Sequence, residues 1–433
     1  VPVDFTFRAR IEHRPGQLAR VLEAVAEGGG LVGEFRTCKL TREHSERELT
    51  VAVADEAGAA ALRERLDAIE SVEVLDCYDR ALALHDGGKL SIEPVHRVES
   101  VQDMRDVYTP GVARACEAIR DDPGAARRLT MIGRTVAICT NGTRVLGLGD
   151  IGPLAAMPVM EGKAVFYRQL AGISAMPILI DTADPDEFVE TVVRIAPTFG
   201  GIHLEDIAAP ECFDIEARLI ERLDRPVMHD DVHGTAVVAL AAAIVASRHA
   251  GVELKDAVVG QLGLGAAGYG IATLMVDAGA RRVLAYDPDE TSHAHAREGG
   301  VDLAGDAGEV MREADVVVAT TGRPDSIDPD SIRDGQVILA LSNPDPEIAP
   351  EDARAAGAAF AAEGSTVNNV LGYPGMFRGA LEADADRLDS AMKLAAARAL
   401  ADATADGELL PDPLDVSVHE RVAEAVREAA PDS

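Results

Sequence analysis

The stretch Ala257-Val258-Val259, followed shortly by Gln261-Leu262-Gly263-Leu264-Gly265-Ala266-Ala267-Gly268, constrains the fold of this chain more than any other. A short apolar strand enters a glycine turn, and apolar residues then recur at helical spacing at Ile271, Leu274, Met275 and Ala278. Each glycine has a task in that setting. Gly263 permits the tight turn, Gly265 lets the backbone approach a pyrophosphate, and Gly268 lets the helix pack closely on the strand. Phosphates would rest on the amides that open the helix, around Ala266 and Ala267. The next strand, 282–286, ends in Asp287, where an acid hydrogen-bonds a ribose 2′-hydroxyl and repels a 2′-phosphate. Asp289 adds to the repulsion, which favours NAD over NADP. Strands at 314–319 and 336–341 end in Thr320-Thr321-Gly322 and Ser342-Asn343-Pro344, where a nicotinamide would be met. The expected fold class is α/β, with a Rossmann-like dinucleotide domain and C-terminal helices over 234–433.

The first block, 1–86, has a different rhythm. Val3, Phe5, Phe7, Ala9 and Ile11 alternate with polar residues as in a half-buried strand. Leu18, Val21, Leu22 and Val25 then follow a helical period, which Gly28-Gly29-Gly30 stops. Strands at 33–40 and 48–53, a helix carrying Leu62, Leu66 and Ile69, and a strand at 72–77 complete a βαββαβ, ferredoxin-like order. With its Arg14-Pro15-Gly16-Gln17-Leu18 turn, this block resembles an ACT domain, which implies a small effector or, failing that, a dimerisation lobe. Asp86-Gly87-Gly88-Lys89 reads as a linker to a second α/β domain over 90–233.

Formal net charge is −33, spread along the chain, which excludes nucleic acid and an anionic membrane as partners. Acid-rich, lysine-poor surfaces suit a salty cytoplasm where repulsion is screened, so a halophilic host is the favoured setting. Aromatics make up 3% of residues with no tryptophan, so the core must come from Ala, Val, Leu and Ile. Five cysteines without a C-x-x-C pair fit a reducing cytoplasm. No leader opens the chain, and no apolar run reaches membrane-spanning length, so a cytoplasmic location is expected.

Lysine is scarce: only Lys39, Lys89, Lys163, Lys255 and Lys393 occur. Arginine cannot release its proton in a protein and lysine can, so Lys163 in Glu161-Gly162-Lys163-Ala164-Val165 is a candidate proton acceptor. Two apolar runs end in paired acids, Ile202-His203-Leu204-Glu205-Asp206 and Val227-Met228-His229-Asp230-Asp231. At the carboxyl ends of parallel strands such pairs converge on one crevice, and oxygen ligands without cysteine suit Mg²⁺ or Mn²⁺. Neighbours on a regular strand face opposite ways, so Glu205 and Asp206 can share an ion only where the strand breaks up. Tyr108, in Tyr108-Thr109-Pro110-Gly111, offers a phenol before a helix, and Arg144 offers a fork for a carboxylate.

Across about 95–400 the chain resembles a malic enzyme of the short prokaryotic type. The likeness runs through Tyr108–Ala113, Val145–Asp150, Glu161–Val165, Leu204–Ile207, His229–Ala236, Gly263–Gly268, Leu341–Pro346 and Asn368–Leu381. The resemblance implies oxidation and decarboxylation of L-malate to pyruvate with NAD or NADP and a divalent metal. It implies metal ligands at Glu205, Asp206 and Asp231, with Asp230 in a supporting polar role. It further implies a base at Lys163, an acid at Tyr108, and substrate or cofactor contacts at Asn343 and Asn369, with Asn368 a competitor for the last. It also implies a homo-oligomer, a dimer or larger. Val232, Asp150 and His203 depart from residues common in relatives. Two rival readings are malolactic decarboxylation, which would retain NADH and release lactate, and a non-catalytic nucleotide or effector sensor.

Overall fold

The computed structural model describes residues 2–145 and 147–431; Val1, Leu146, Asp432 and Ser433 lie outside the described residues, Leu146 falling within the Val145–Asp150 motif. The chain forms two compact units, Val1–Ser91 and Ile92–Ser433.

In the first unit the expected βαββαβ order is present. Strands β1 (Val3–Glu12), β2 (Leu31–Leu40), β3 (His44–Val53) and β4 (Val72–Asp79) form an antiparallel sheet of order β2-β3-β1-β4. The helices Gln17–Glu27 and Glu56–Asp67 cover one face. Phe7, Ile11, Leu49 and Val51 meet Val21, Val25, Leu62 and Leu66 there in one enclosed cluster. Asp55 starts the second helix by accepting a hydrogen bond from the Gly58 amide. Strand β2 is exposed along its whole length. A short helix, Arg80–His85, lies between β4 and the glycine linker; no apolar period in the sequence announces it.

The second unit carries two parallel sheets. In the first, β5 (Thr135–Thr140), β6 (Ser174–Leu179), β7 (Gly201–Leu204) and β8 (Val227–His229) stand in the order β6-β5-β7-β8. In the second, β9 (Val258–Leu262), β10 (Arg282–Tyr286), β11 (Asp302–Leu303), β12 (Val316–Ala319), β13 (Val337–Ala340) and β14 (Phe360–Glu363) stand in the order β11-β10-β9-β12-β13-β14. All neighbours in this sheet run parallel. This is the doubly wound dinucleotide order, with its crevice between β9 and β12 where the strand order reverses. The first sheet reverses at β5, so its crevice lies above the carboxyl ends of β5 and β7.

The helix Thr235–Ala250 lies between these elements and is buried on nearly all sides. Its alanine-rich sequence lets neighbouring elements approach closely, which is how an aromatic-poor chain still fills its core. The segment Asp230–Ala250 is long and apolar enough to cross a membrane, contrary to the sequence expectation, but 78% of its apolar window is buried inside the protein. It is a core helix. The first C-terminal helix spans Ser390–Ala403, opened by the Asp389 side chain accepting from the Met392 amide. The second spans Val416–Ala429.

Candidate active site

The 20-residue helix Gly152–Ala171 places Lys163 and Tyr167 one turn apart on its buried side. Lys163 Nζ lies 2.5 Å from Asp230 Oδ2 and 3.0 Å from Glu205 Oε1, and the side chains of both acids are nearly or wholly enclosed. Its ammonium also sits 4.6 Å from the centre of the Tyr373 ring. Burial opposes the charge on Lys163, but Asp230 and Glu205 outweigh it and hold the ammonium well above its ordinary range. Burial pushes both carboxyls upward, against the pull of Lys163. One ammonium cannot neutralise two buried carboxylates, and Asp230 Oδ1 has no hydrogen-bond partner among the described residues. The cluster therefore favours additional positive charge. In the chain by itself both partners of Lys163 are acids at ion-pair distance, so the side chain stands as an ammonium.

Beside this cluster, one carboxylate oxygen each of Glu205, Asp206 and Asp231 lie within 4.8 Å of one another. The geometry depends on a strand break. Strand β7 ends at Leu204, and Asp206 takes a left-handed φ of 54°, which a non-glycine residue seldom adopts. Consecutive carboxylates can thus share one side. The Asp206 amide donates to Asp231 Oδ2 at 3.1 Å, tying β7 to the turn after β8. Three hard oxygen donors, with no cysteine in the group among the described residues, fit Mg²⁺ or Mn²⁺. The structure also offers a second, overlapping group of His203, Glu205 and Asp230 within the same mutual distance.

Asp231 and its neighbours are held by a buried staple. Glu216 accepts from the His229 amide at 2.7 Å and lies 3.0 Å from His233 Nε2. Burial alone would raise the Glu216 carboxyl, yet His233 and the more distant Lys393 pull it down to about 2.

Around the glycine turn, a Cβ on Gly263 would meet the Thr320 carbonyl at 2.6 Å, and Gly263 has φ 91°. A Cβ on Gly268 would meet the Gly263 carbonyl at 2.0 Å, whereas one on Gly265 would meet nothing within 4 Å. The space before Gly265 fits the approach of a pyrophosphate to the amides that open the helix Ala266–Asp277. Asp287 Oδ2 accepts from the Leu264 amide at 2.6 Å, which seats it at the turn. Ala267, Thr320, Asn343, Asn368 and Asn369 line a cavity of about 390 Å³. Asn343 Nδ2 donates to the Gly364 carbonyl, and Asn368 Oδ1 accepts from the Val370 backbone amide. Asn369 is therefore the better placed of the two to meet a ligand. Glu347, fully enclosed, holds this rim by accepting from the Thr321 and Ser342 amides.

Arg144 is exposed, and its backbone amide donates to the Asp206 carbonyl, which anchors its main chain beside Asp206. Tyr108 is not brought to Lys163. It is 71% exposed, and its hydroxyl makes no hydrogen bond among the described residues. The departures are accommodated: Val232 is enclosed, Asp150 accepts from the Gly152 amide, and His203 is fully buried. Sequence reasoning missed Tyr167, Tyr373 and Glu216 altogether, and gave His203 no role. The first stands four residues after Lys163 and His203 two before Glu205 on the same strand face, periods that could have flagged both. Nothing local announces Tyr373.

Comparison with known proteins adds independent findings. Family models described as the malic enzyme N-terminal domain and the malic enzyme NAD-binding domain match residues 88–220 and 232–298. The chain is 49% identical to "NAD-dependent malic enzyme 1" of Bacillus subtilis over 96% of its length and 95% of that protein's. It is 38% identical to an NAD-dependent malic enzyme of Geobacillus stearothermophilus, covering 99% of this chain and 94% of that one. A crystal structure of malic enzyme from Pyrococcus horikoshii superposes with a TM-score of 0.76 at 37% identity, covering 81% of this chain and 89% of the other.

Proposed function

Since the chain belongs to the malic enzyme family, we propose that its NAD(P)-dependent oxidative decarboxylation of malate to pyruvate and CO₂ takes place where Lys163 faces Glu205, Asp206 and Asp231. The observation that carries this reading is the buried lysine locked between two acids at the edge of a three-carboxylate cluster.

Arg144, rooted beside Asp206, offers its fork to one malate carboxylate, and Asn343 and Asn369 offer amides from the cavity rim. Glu205, Asp206 and Asp231 would hold a divalent cation, which would supply positive charge beside Lys163 and polarise the substrate oxygens. The turn Gly263–Gly268 and Asp287 would hold NAD, which would supply the acceptor for the C2 hydride. With Glu205 turned to a cation, Lys163 would keep one ion pair of its two and lose its proton to solvent more readily. Its amine then takes the proton of the malate hydroxyl as the hydride leaves. Asp230 stays as the counter-ion of the resulting ammonium. After CO₂ departs, Tyr108 returns a proton to C3.

Tyr108 stands at the end of the helix Val101–Val107, just before Val112–Asp121; neither helix buries a residue. Val101, Met104, Val107 and Val112 are exposed on the same pair. Apolar surface of this kind supports a homo-oligomer, a dimer or larger, and covering the face is what would carry the phenol to a substrate. The reading divides the chain into an effector lobe over 1–86, a substrate and metal domain over 90–233 and a dinucleotide domain with its C-terminal helices over 234–433. Arg14, Pro15 and Arg47 border a cleft of about 310 Å³ in the first unit, which supports a small effector at the ACT-like block. Asp287 supports NAD over NADP. A salty cytoplasm fits the charge of −33 and the free cysteines.

The deciding experiment supplies L-malate with NAD or NADP, with and without Mn²⁺, at low and high KCl. Pyruvate and free NADH should accumulate only with the cation. Lactate without free NADH would establish the malolactic alternative, and no turnover of malate would end the assignment.

A further inference from the structure

Glu205 is gripped from inside the protein as well as facing the cation site. Its Oε1 meets Lys163, and its Oε2 lies 2.6 Å from His203 Nε2. The opposite ring nitrogen, Nδ1, lies 2.8 Å from the Tyr167 hydroxyl, and both residues are fully enclosed. An ionised Glu205 can only accept. Nε2 therefore carries the ring proton, and Nδ1 accepts from the Tyr167 phenol. The imidazole has little room to turn. Phe377 lies nearly parallel to it at 5.7 Å between ring centres, and Tyr373 stands edge-on at 5.3 Å. Gly201 makes the seat for Phe377, since a Cβ there would meet that ring at 3.0 Å.

Lys163 and Tyr167 thus reach the same carboxylate from one helix, the first directly and the second through His203. Resting on the reading of Glu205, Asp206 and Asp231 as the cation site, we propose that His203, oriented by Tyr167, is a positioning residue that fixes Glu205 for the cation without binding the cation itself. The overlapping His203, Glu205 and Asp230 group is the competing arrangement, in which the histidine would be a ligand.

The test titrates Mn²⁺ into the metal-stripped full-length protein and follows free and bound ion by electron paramagnetic resonance. Wild type should bind and Asp231→Ala should not. His203→Leu should weaken binding about 10–100-fold, the usual cost of losing a group that orients a ligand. His203→Gln, whose amide nitrogen stands near the Nε2 position, should recover most of that loss. Tyr167→Phe removes one oxygen and keeps the ring, and should weaken binding about 3–10-fold, the worth of one hydrogen bond. NAD affinity, measured without metal, should be the same in all of them. Spin-echo spectra of the bound ion should show no coupling to a histidine nitrogen. Such a coupling would make His203 a ligand and overturn the proposal. Wild-type affinity in both His203→Leu and Tyr167→Phe, with Asp231→Ala inactive in binding, would overturn it while leaving the cation site intact. Absence of Mn²⁺ binding in wild type, or unchanged binding in Asp231→Ala, would remove the cation site and this proposal together.

Discussion

Replacing Lys163 by arginine and by methionine separates its electrostatic role from its chemical one. The Lys163 side chain is only 10% exposed, and its carboxylate partners at 2.5 and 3.0 Å are 0% and 3% exposed. Removing one member of a buried pair typically costs about 3–5 kcal/mol, because the other charge is left uncompensated. Lys163→Met should lose stability of that order, softened as Glu205 or Asp230 takes up a proton. Arginine keeps the positive charge and can serve two carboxylates, so Lys163→Arg should lose only about 1–3 kcal/mol from overpacking. Neither variant holds a base. Turnover of malate should therefore fall about 10²–10⁴-fold in both, the usual contribution of a general acid–base group. Urea unfolding reads the first quantity, and NADH absorbance with saturating malate, NAD and Mn²⁺ reads the second. Near-normal turnover in a stable Lys163→Arg protein would refute the base assignment, since a guanidinium cannot take a proton from the substrate.

Asp231→Ala should abolish malate oxidation, and a chelator should do the same to wild type; activity surviving in chelator would count against the whole carboxylate site. Tyr108→Phe should slow ketonisation of enolpyruvate about 10²-fold or more, followed by its absorbance decay, with NAD affinity unchanged. If the phenol serves the cleft of a second copy, co-expressing that variant with Lys163→Ala should restore activity that neither has alone. Glu216 makes a pH prediction. Its carboxyl is depressed from the ordinary 4.5 to about 2, so ionised Glu216 stabilises the fold above about pH 4.5 and loses that effect as pH falls towards 2. Glu216→Gln should lack this pH-dependent contribution. A stability gap between the two proteins that stayed constant from pH 7 to pH 3 would contradict this.

Legibility in the sequence followed the reach of each signal. The glycine turn, the strand after it and Asp287 lie within thirty residues, and their structure follows from turn geometry and periodicity. The ferredoxin-like block was equally readable, because alternation along β1 and helical spacing from Leu18 are local patterns. The convergence of the acid pairs was legible, and the strand break it required appears as the left-handed Asp206. What stayed hidden depends on elements meeting across the fold. Tyr373 reaches Lys163 from 210 residues away, where no periodicity connects them. Glu216 reads as one more acid on an amphipathic helix until the turn after β8 is folded against it. The exposure of Tyr108 was also unreadable, since a motif fixes residue type and leaves open which surface the helix presents.

The division of labour between Asp230 and Asp231 shows how finely that turn is set. The two are adjacent, yet Asp230 points to Lys163 while Asp231 meets the Asp206 amide. A wide turn of π-helical form over Asp230–Gly234 lets them diverge. Gly234 is needed there for space rather than for an unusual φ: a Cβ would stand 1.7 Å from Asp230 Oδ1. The bare glycine lets the helix Thr235–Ala250 begin directly against the carboxylate of Asp230, close to its amino-terminal end where negative charge is favoured. Glu216 then fixes both ends of the turn through the His229 amide and the His233 ring. Two like charges in sequence are thereby assigned to different partners, one to the lysine and one to the acid trio, which is the arrangement the proposed base and divalent cation would need side by side.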